Sequence, residues 1–283
     1  MNLGDEIKNK SYEVEHADGS KLALISVAEE TNLARAHNKS SQEIQLEALK
    51  LNILPARYQR NYGTVGLKGQ LQLLNSTVGV IGAGGLGGYV VEFLARMGIG
   101  NLVVVDDDSF EDNNLNRQLF ATEEELNKEK VSTVMPRVNK INRGVEVTAK
   151  KTRFTKESGG SILGECDLVI DALDNLSSRY ALEKVAKNLG IPMIHGAIGG
   201  FIGQVLTIFP EDVGLAMIYP DEDKAPDKLI EVSLGNPTAT PPMVASWQVH
   251  ECVKVLTGIG TPLQNCLLYM DASEGQVELI KLR

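Results

Sequence analysis

Val78-Gly-Val-Ile-Gly-Ala-Gly-Gly-Leu-Gly-Gly88, followed after one more helix-length run by Leu102-Val-Val-Val-Asp106-Asp-Asp-Ser-Phe-Glu-Asp-Asn-Asn114-Leu-Asn-Arg117-Gln118, is the stretch on which the fold turns. A short β-branched strand leads into Gly82-x-Gly84-x-x-Gly87, with Gly85 adjoining. Missing side chains allow a tight turn there and let backbone N–H groups approach a phosphorylated ligand at a helix N-terminus. Asp106 ends the next predicted strand, about 20 residues beyond the last glycine, where a carboxylate accepts hydrogen bonds from ribose hydroxyls. Glycines in an ordinary strand-to-helix turn would spell the same motif, but an acid at this distance makes the segment a candidate nucleotide site.

Strand, glycine loop, helix, strand and acid commonly mean NAD or FAD, so an NAD-dependent oxidoreductase is one reading. The residues after Asp106 point elsewhere. Asn114, Arg117 and Lys130 are ill suited to hydride transfer and well suited to a triphosphate. Arg offers a fork that matches phosphate oxygens, Lys a point charge and Asn a neutral donor. Taken singly, Arg117 and Lys130 read as solvated surface charges and Asn114 as a turn residue; their succession behind Asp106 gives them weight. Asp174 follows the predicted strand Leu168-Val-Ile-Asp171, at a carboxyl end of the sheet where ligands of open α/β folds collect. Alternatively it is the N-cap of a helix beginning near Leu176.

From about Leu54 to about Gly258 the chain resembles the MoeB/ThiF/HesA family of ubiquitin-activating-enzyme-like adenylyltransferases. Six motifs carry the resemblance, in family order: Arg57-Tyr-Gln-Arg60, Gly82-Ala-Gly-Gly-Leu-Gly-Gly88, Val105-Asp106 with Asn114-Leu-Asn-Arg117-Gln118, Lys130-Val131, Asp171-Ala-Leu-Asp174-Asn175, and Gly203-Gln204. The resemblance implies that Asp106 holds the ribose of ATP, that Asn114, Arg117 and Lys130 surround its phosphates, and that Asp174 helps place Mg²⁺. It implies that Arg60 reaches across a homodimer interface into the other subunit's nucleotide site. The implied reaction is adenylation of the C-terminal glycine carboxylate of a small ubiquitin-like, ThiS/MoaD-type sulfur carrier ending in Gly-Gly, with sulfur supplied by a separate donor protein. The residue types agree with that chemistry: a carboxylate must approach the α-phosphorus of ATP and pyrophosphate must leave, so two anions have to be neutralised and oriented. Mg²⁺ held by one or two carboxylates and the phosphates supplies further charge. A catalytically silent, partner-binding subunit of the same fold is a third reading, and the intact set Asp106, Asn114, Arg117, Lys130 and Asp174 counts against it.

Relatives of this kind commonly carry two Cys-x-x-Cys pairs for a structural zinc, and some carry a further loop cysteine. This chain has only Cys166, Cys252 and Cys266 and no Cys-x-x-Cys, so zinc is not expected and the resemblance is to a branch lacking both features. The apolar settings of all three cysteines predict core packing. No cysteine falls in the segment from Leu229 to Met243, where the loop cysteine would lie.

A chain of 283 residues can bury a sizeable core. Its formal net charge of −9 argues against nucleic acid as the main ligand, because phosphate backbones need a basic face. Few cysteines, no apolar N-terminal signal region and apolar runs shorter than a membrane span lead to the expectation of a cytoplasmic enzyme with no membrane partner. One seam divides the chain into an accessory module over residues 1–53 and an adenylation domain over 54–283. The module is predicted to hold a hairpin from Tyr12 to Ile25 with an Asp18-Gly19 turn, then two short helices, the second opened by the capping box Ser40-x-x-Glu43.

The larger part is predicted to be an α/β domain, a Rossmann-like doubly wound mixed sheet with a parallel first half and an antiparallel second half. Strands are expected at Val78–Ile81, Leu102–Val105, Val145–Thr152, Leu168–Asp171 and Phe201–Phe209, with a closing hairpin of Leu267–Asp271 and Val277–Lys281. Helices are expected near Gly87–Met97, Lys130–Ile141 and Ser177–Leu189. Glu211 to Pro242, including Pro220-Asp-Glu-Asp-Lys-Ala-Pro226, reads as a long irregular connection. The resemblance places it over the carrier's C-terminal tail. His195 has no acid partner at readable spacing and is expected to be a hydrogen-bonded core histidine; no histidine metal site is expected.

Overall fold

The alternating strands form one eight-stranded sheet in a computed structural model that describes residues 2–15, 19–220 and 234–282. Its order is β11-β10-β9-β8-β7-β4-β5-β6. The parallel half consists of β4 (Thr77–Ile81), β5 (Asn101–Asp106), β6 (Glu146–Lys151), β7 (Leu168–Asp171) and β8 (Met193–Gly199). The antiparallel half is added by β9 (Ile202–Ile208), β10 (Cys266–Asp271) and β11 (Gln276–Lys281). The expected mixed sheet is therefore present, and β4 and β7 meet where the strand order reverses.

Period-two alternation sorts the strands' side chains into two cores. Val78, Val80, Leu102, Val104, Leu168 and Ile170 join the cluster under α5 (Gly85–Met97), α6 (Lys130–Ile141) and α9 (Thr240–Thr257). Ile81, Val105 and Val169 join the opposite cluster under α7 (Lys156–Leu163) and α8 (Leu176–Leu189). Helix α9 starts earlier than the irregular reading of Glu211 to Pro242 allows. A proline is tolerated in a first turn, whose N–H groups lack intrahelical partners in any case. Residues 221–226 of the proline-bearing stretch, like Asp18 of the hairpin turn, lie outside the described residues. No helix among the described residues is long and apolar enough to cross a membrane.

The N-terminal part contains the expected hairpin, β1 (Tyr12–Glu15) with β2 (Lys21–Ile25), preceded by α1 (Leu3–Lys10). Helices α2 (Val27–His37) and α3 (Ser41–Lys50) follow, and both bonds of the Ser40–Glu43 capping box form. β2 also pairs in parallel with β3 (Leu54–Pro55), so this small sheet reaches just past residue 53. Polar contacts fasten it to the large sheet's helices. Gln42 Nε2 donates to the Gly100 carbonyl at 2.7 Å, the fully buried Tyr58 hydroxyl donates to Gln45 Oε1 at 3.0 Å, and Asn142 Nδ2 donates to that hydroxyl at 2.7 Å. Helix α4 (Tyr62–Asn75), kinked at Gly66, leads into β4.

Cys166 and Cys252 are buried as expected, whereas Cys266 at the start of β10 is only half-buried. The difference is positional. Cys266 pairs with Lys281 on β11, and every residue of that edge strand is exposed.

Candidate active site

The glycine loop occupies the carboxyl end of β4, at the reversal of strand order. Gly82 has φ +99°, and a Cβ there would sit 2.5 Å from the Ala172 carbonyl oxygen, so both its conformation and the neighbouring strand require glycine. At Gly87 a Cβ would run into the Gly82 carbonyl, which is how the first turn of α5 comes to lie directly on the loop. Gly84 and Gly85 face Gln118 and Arg117, each 3.5 Å from where a Cβ would be. Asp106 fixes the loop from the other side: Oδ2 accepts from Ala83 N at 2.7 Å and Oδ1 from Asp108 N at 2.8 Å. Burial pushes its pKa above the usual aspartate value, against the pull of the Ala83 N–H and the nearby Lys130 charge.

Asn114 has a different place from Arg117 and Lys130. It is buried in the short 3-10 turn Asp112–Asn114, where its Oδ1 accepts from Glu111 N at 3.0 Å and its carbonyl accepts from Arg117 N and Gln118 N. It fastens the turn that presents Arg117 and Gln118 and is not itself in the cleft wall. Arg117 Nη1 is held by the Asn113 carbonyl at 2.8 Å and by Asn116 Oδ1 at 2.9 Å. Lys130, the first residue of α6, is buried in the cleft wall, with Nζ 2.9 Å from Asp108 Oδ2.

Across the cleft, Asn175 caps α8 by accepting from Ser178 N at 2.9 Å, so the alternative of Asp174 as N-cap does not hold. A cap must stand one residue before the first helical position, and that place belongs to Asn175. Asp174 is exposed and accepts from Asn175 Nδ2 at 3.2 Å. Beneath it, His195 Nδ1 is 2.7 Å from Asp171 Oδ2, and both residues are fully buried. The histidine is hydrogen-bonded in the core as expected, but it does have an acid partner. The two stand 24 positions apart on adjacent strands, a proximity invisible to local spacing.

The cleft encloses about 400 Å³, and Gly82, Gly84, Gly85, Asp106, Arg117, Lys130 and Asp174 all line it. Gln118, Arg153 and Arg179 line it too, and sequence reasoning did not include them as site residues. Arg60 is exposed and is not in the wall; its neighbours Arg57 and Tyr58 point inward, Arg57 Nη1 donating to the Ile141 carbonyl at 3.0 Å. A nucleoside triphosphate fits this donor set. Cations stand beside a loop with no side chains in the way, and the buried Gln118 Oε1 has no partner among the described residues, so a ligand donor would satisfy it. Asp174 retains acceptor capacity for a hydrated Mg²⁺.

A family model described as the ThiF family matches residues 58–283. The chain is 35% identical over 245 residues to the SAMP-activating enzyme E1 of Haloferax volcanii, covering 85% of this chain and 88% of that protein. It is 35% identical over 225 residues to the sulfur carrier protein adenylyltransferase of Thermus thermophilus, covering 77% and 83%. Among solved structures, the crystal structure of PaaA superposes with a TM-score of 0.68 at 17% identity, over 97% of this chain and 99% of that one, a likeness of fold.

Proposed function

The chain belongs to the ThiF family, and from that premise we propose that it is an ATP-dependent adenylyltransferase acting on the C-terminal glycine carboxylate of a small ubiquitin-like sulfur carrier. The relatives that bear this activity in their names support the reading. One structural observation carries it: the glycine loop, Asp106, Arg117, Lys130 and Asp174, drawn from separate elements, share one cleft.

In this reading the carrier's carboxylate oxygen bonds to the α-phosphorus of ATP, the bond from that phosphorus to the bridging oxygen breaks, and pyrophosphate leaves with both electrons. No proton moves. Lys130 and Arg117 neutralise phosphate charge as it shifts to the leaving group, which selectively lowers the transition state. Asp106 binds ribose hydroxyls through its remaining lone pairs, and the open loop admits phosphate oxygens to backbone N–H groups at the start of α5. Asn114 serves indirectly by holding the turn that carries Arg117. Mg²⁺ held at Asp174 supplies charge neutralisation and orientation of the phosphates.

The protein acts as a homodimer in which Arg60 enters the other subunit's cleft, a role in keeping with its exposure and with the anchoring of Arg57 and Tyr58. Residues 1–53 form an accessory module that braces that segment, and 54–283 form the adenylation domain. Sulfur comes from a separate donor. The test is ATP–pyrophosphate exchange against small proteins ending in Gly-Gly. Exchange that depends on one such carrier is expected; its absence with every carrier, despite ATP binding, would favour a silent partner-binding subunit.

A further inference from the structure

We propose that Asp171, His195, Arg179 and the half-buried Tyr219 form a ring of hydrogen bonds, closed through the Leu173 peptide, that sets the position of Asp174, making His195 and Tyr219 positioning residues for the metal end of the cleft. The inference rests on the reading of Asp174 as the residue that holds Mg²⁺.

The ring has two arms that leave Arg179, a donor on both sides, and converge on Asp171, an acceptor on both sides. Arg179 Nη1 donates to the Tyr219 oxygen at 3.1 Å, and the Tyr219 oxygen lies 3.2 Å from His195 Nε2. His195 Nδ1 lies 2.7 Å from Asp171 Oδ2. An ionised carboxylate can only accept, so the proton belongs on Nδ1, and Nε2 is left to accept from the Tyr219 O–H. Asp171 Oδ1 then accepts from Leu173 N at 2.9 Å. The Leu173 carbonyl closes the circuit by accepting from Arg179 Nη2 at 2.9 Å and Nε at 3.3 Å. The Arg179 guanidinium and the Asp171 carboxylate also stand 3.7 Å apart as a buried ion pair.

What the ring grips is the peptide immediately before Asp174. Both polar groups of Leu173 are held, one by Asp171 and one by Arg179, so the chain enters Asp174 from a fixed direction. Asp174 itself is exposed, and its side-chain bond to the adjacent Asn175 does not tie it to the rest of the fold. Its carboxylate is therefore placed by backbone, and the backbone is placed by the ring. Tyr219 belongs to the far side of the circuit, where Tyr180 Oη also donates to the Pro220 carbonyl at 2.8 Å. The ring thereby links residues 219–220 to the metal end of the cleft.

The discriminating variants are Tyr219→Phe, which removes one hydroxyl and keeps the ring packing, and His195→Asn, which keeps a donor for Asp171 and loses the acceptor for Tyr219. Mn²⁺ binding to each full-length protein in the presence of a non-hydrolysable ATP analogue is followed by electron paramagnetic resonance, beside analogue binding without metal. Each variant should need roughly tenfold more Mn²⁺ for half-saturation, as when a metal site loses an outer partner, with metal-free nucleotide affinity unchanged. Exchange activity should recover at high Mg²⁺. A purely structural role would lower the melting temperature without moving the Mn²⁺ titration. Asp174→Asn separates the two failures. If it weakens Mn²⁺ binding while Tyr219→Phe and His195→Asn match the parent, the ring has no positioning role. If Asp174→Asn also matches the parent, the metal reading falls and the ring's role falls with it. Should His195→Asn fail to fold, Tyr219→Phe decides the matter.

Discussion

Lys130 Nζ and Asp108 Oδ2 stand 2.9 Å apart in a lopsided pair, with 8% of the lysine side chain exposed against 66% of the aspartate's. A buried ammonium needs a counter-charge, whereas an exposed carboxylate gives one up cheaply because water replaces it. In the proposed reaction Lys130 exchanges Asp108 for phosphate, so its charge is available without an uncompensated state. Lys130→Met should therefore fold and should lower pyrophosphate exchange by about a hundredfold, a loss on the order of 3 kcal/mol. Arg117→Ala should behave likewise. Near-normal exchange in both variants would remove the two cations from the site.

Asp106 has both carboxylate oxygens engaged with loop backbone, so it shapes the ATP-binding surface before any nucleotide arrives. A ribose contact is made about equally in ground and transition states. Asp106→Ala should raise the KM for ATP more than it lowers kcat. Steady-state exchange at varied ATP decides this; an unchanged KM would remove the ribose assignment.

Much of the site is legible in the sequence because its chemistry is local. Gly82, Asp106 and Lys130 lie on strand–turn–helix junctions whose geometry follows from a few adjacent residues. Asn114 was readable as important, but not as the fastener of a turn, since the partners of a side-chain amide depend on where the chain bends next. Arg153, just past β6, and Arg179, on α8, reach the cleft from segments distant in sequence and carry no local signature. His195 and Asp171 meet only through strand pairing. Helix α7 escapes the periodic pattern because Gly159 and Gly160 interrupt it, although the Thr155–Ser158 reciprocal cap marks its start.

Cys166 and Cys252 sit where thiolate chemistry is suppressed. Burial, followed by the charges of Asp167 and Glu165, pushes the Cys166 thiol up to about 12, and burial also raises Cys252. At pH 8 the Cys166 side chain is therefore overwhelmingly the thiol. Native protein treated with a thiol reagent at pH 8 should react at Cys266 well before the other two. A Cys166→Ala, Cys252→Ala, Cys266→Ala protein, if folded, should keep the carrier-adenylation step. Loss of adenylation with ATP binding intact would reveal a thiol function.

Glu30 is buried beside Arg57, and desolvation outweighs the Arg57 charge and the Gln45 hydrogen bond to raise its pKa above the usual glutamate value. A carboxyl whose pKa is higher in the folded state contributes stability that is full below its unfolded pKa and is lost as pH rises through the folded one. In Glu30→Gln that pH-dependent loss disappears. The melting temperature of the variant minus that of the parent should therefore become more favourable between pH 4.5 and pH 7.5. A difference that stays constant, or moves the other way, would show that Arg57 compensates the buried charge in full.

Arg60 is an exposed residue outside its own chain's cleft wall, while its neighbours Arg57 and Tyr58 anchor the segment inward. A cation presented this way, outside its own chain's cleft wall, suits a composite site shared between two copies. Arg60→Ala and Lys130→Ala proteins should each be nearly inactive alone. Mixed in equal amounts under subunit exchange, half of the dimers carry one chain of each kind, and one of the two sites in such a dimer has neither lesion. Recovery should approach roughly a quarter of parental exchange if the sites act independently. The measurement pairs the activity of the mixture with a tagged pull-down that proves exchange of chains. A monomer in solution, or proven mixed dimers with no recovery, would confine Arg60 to its own surface and leave the phosphates to Arg117 and Lys130.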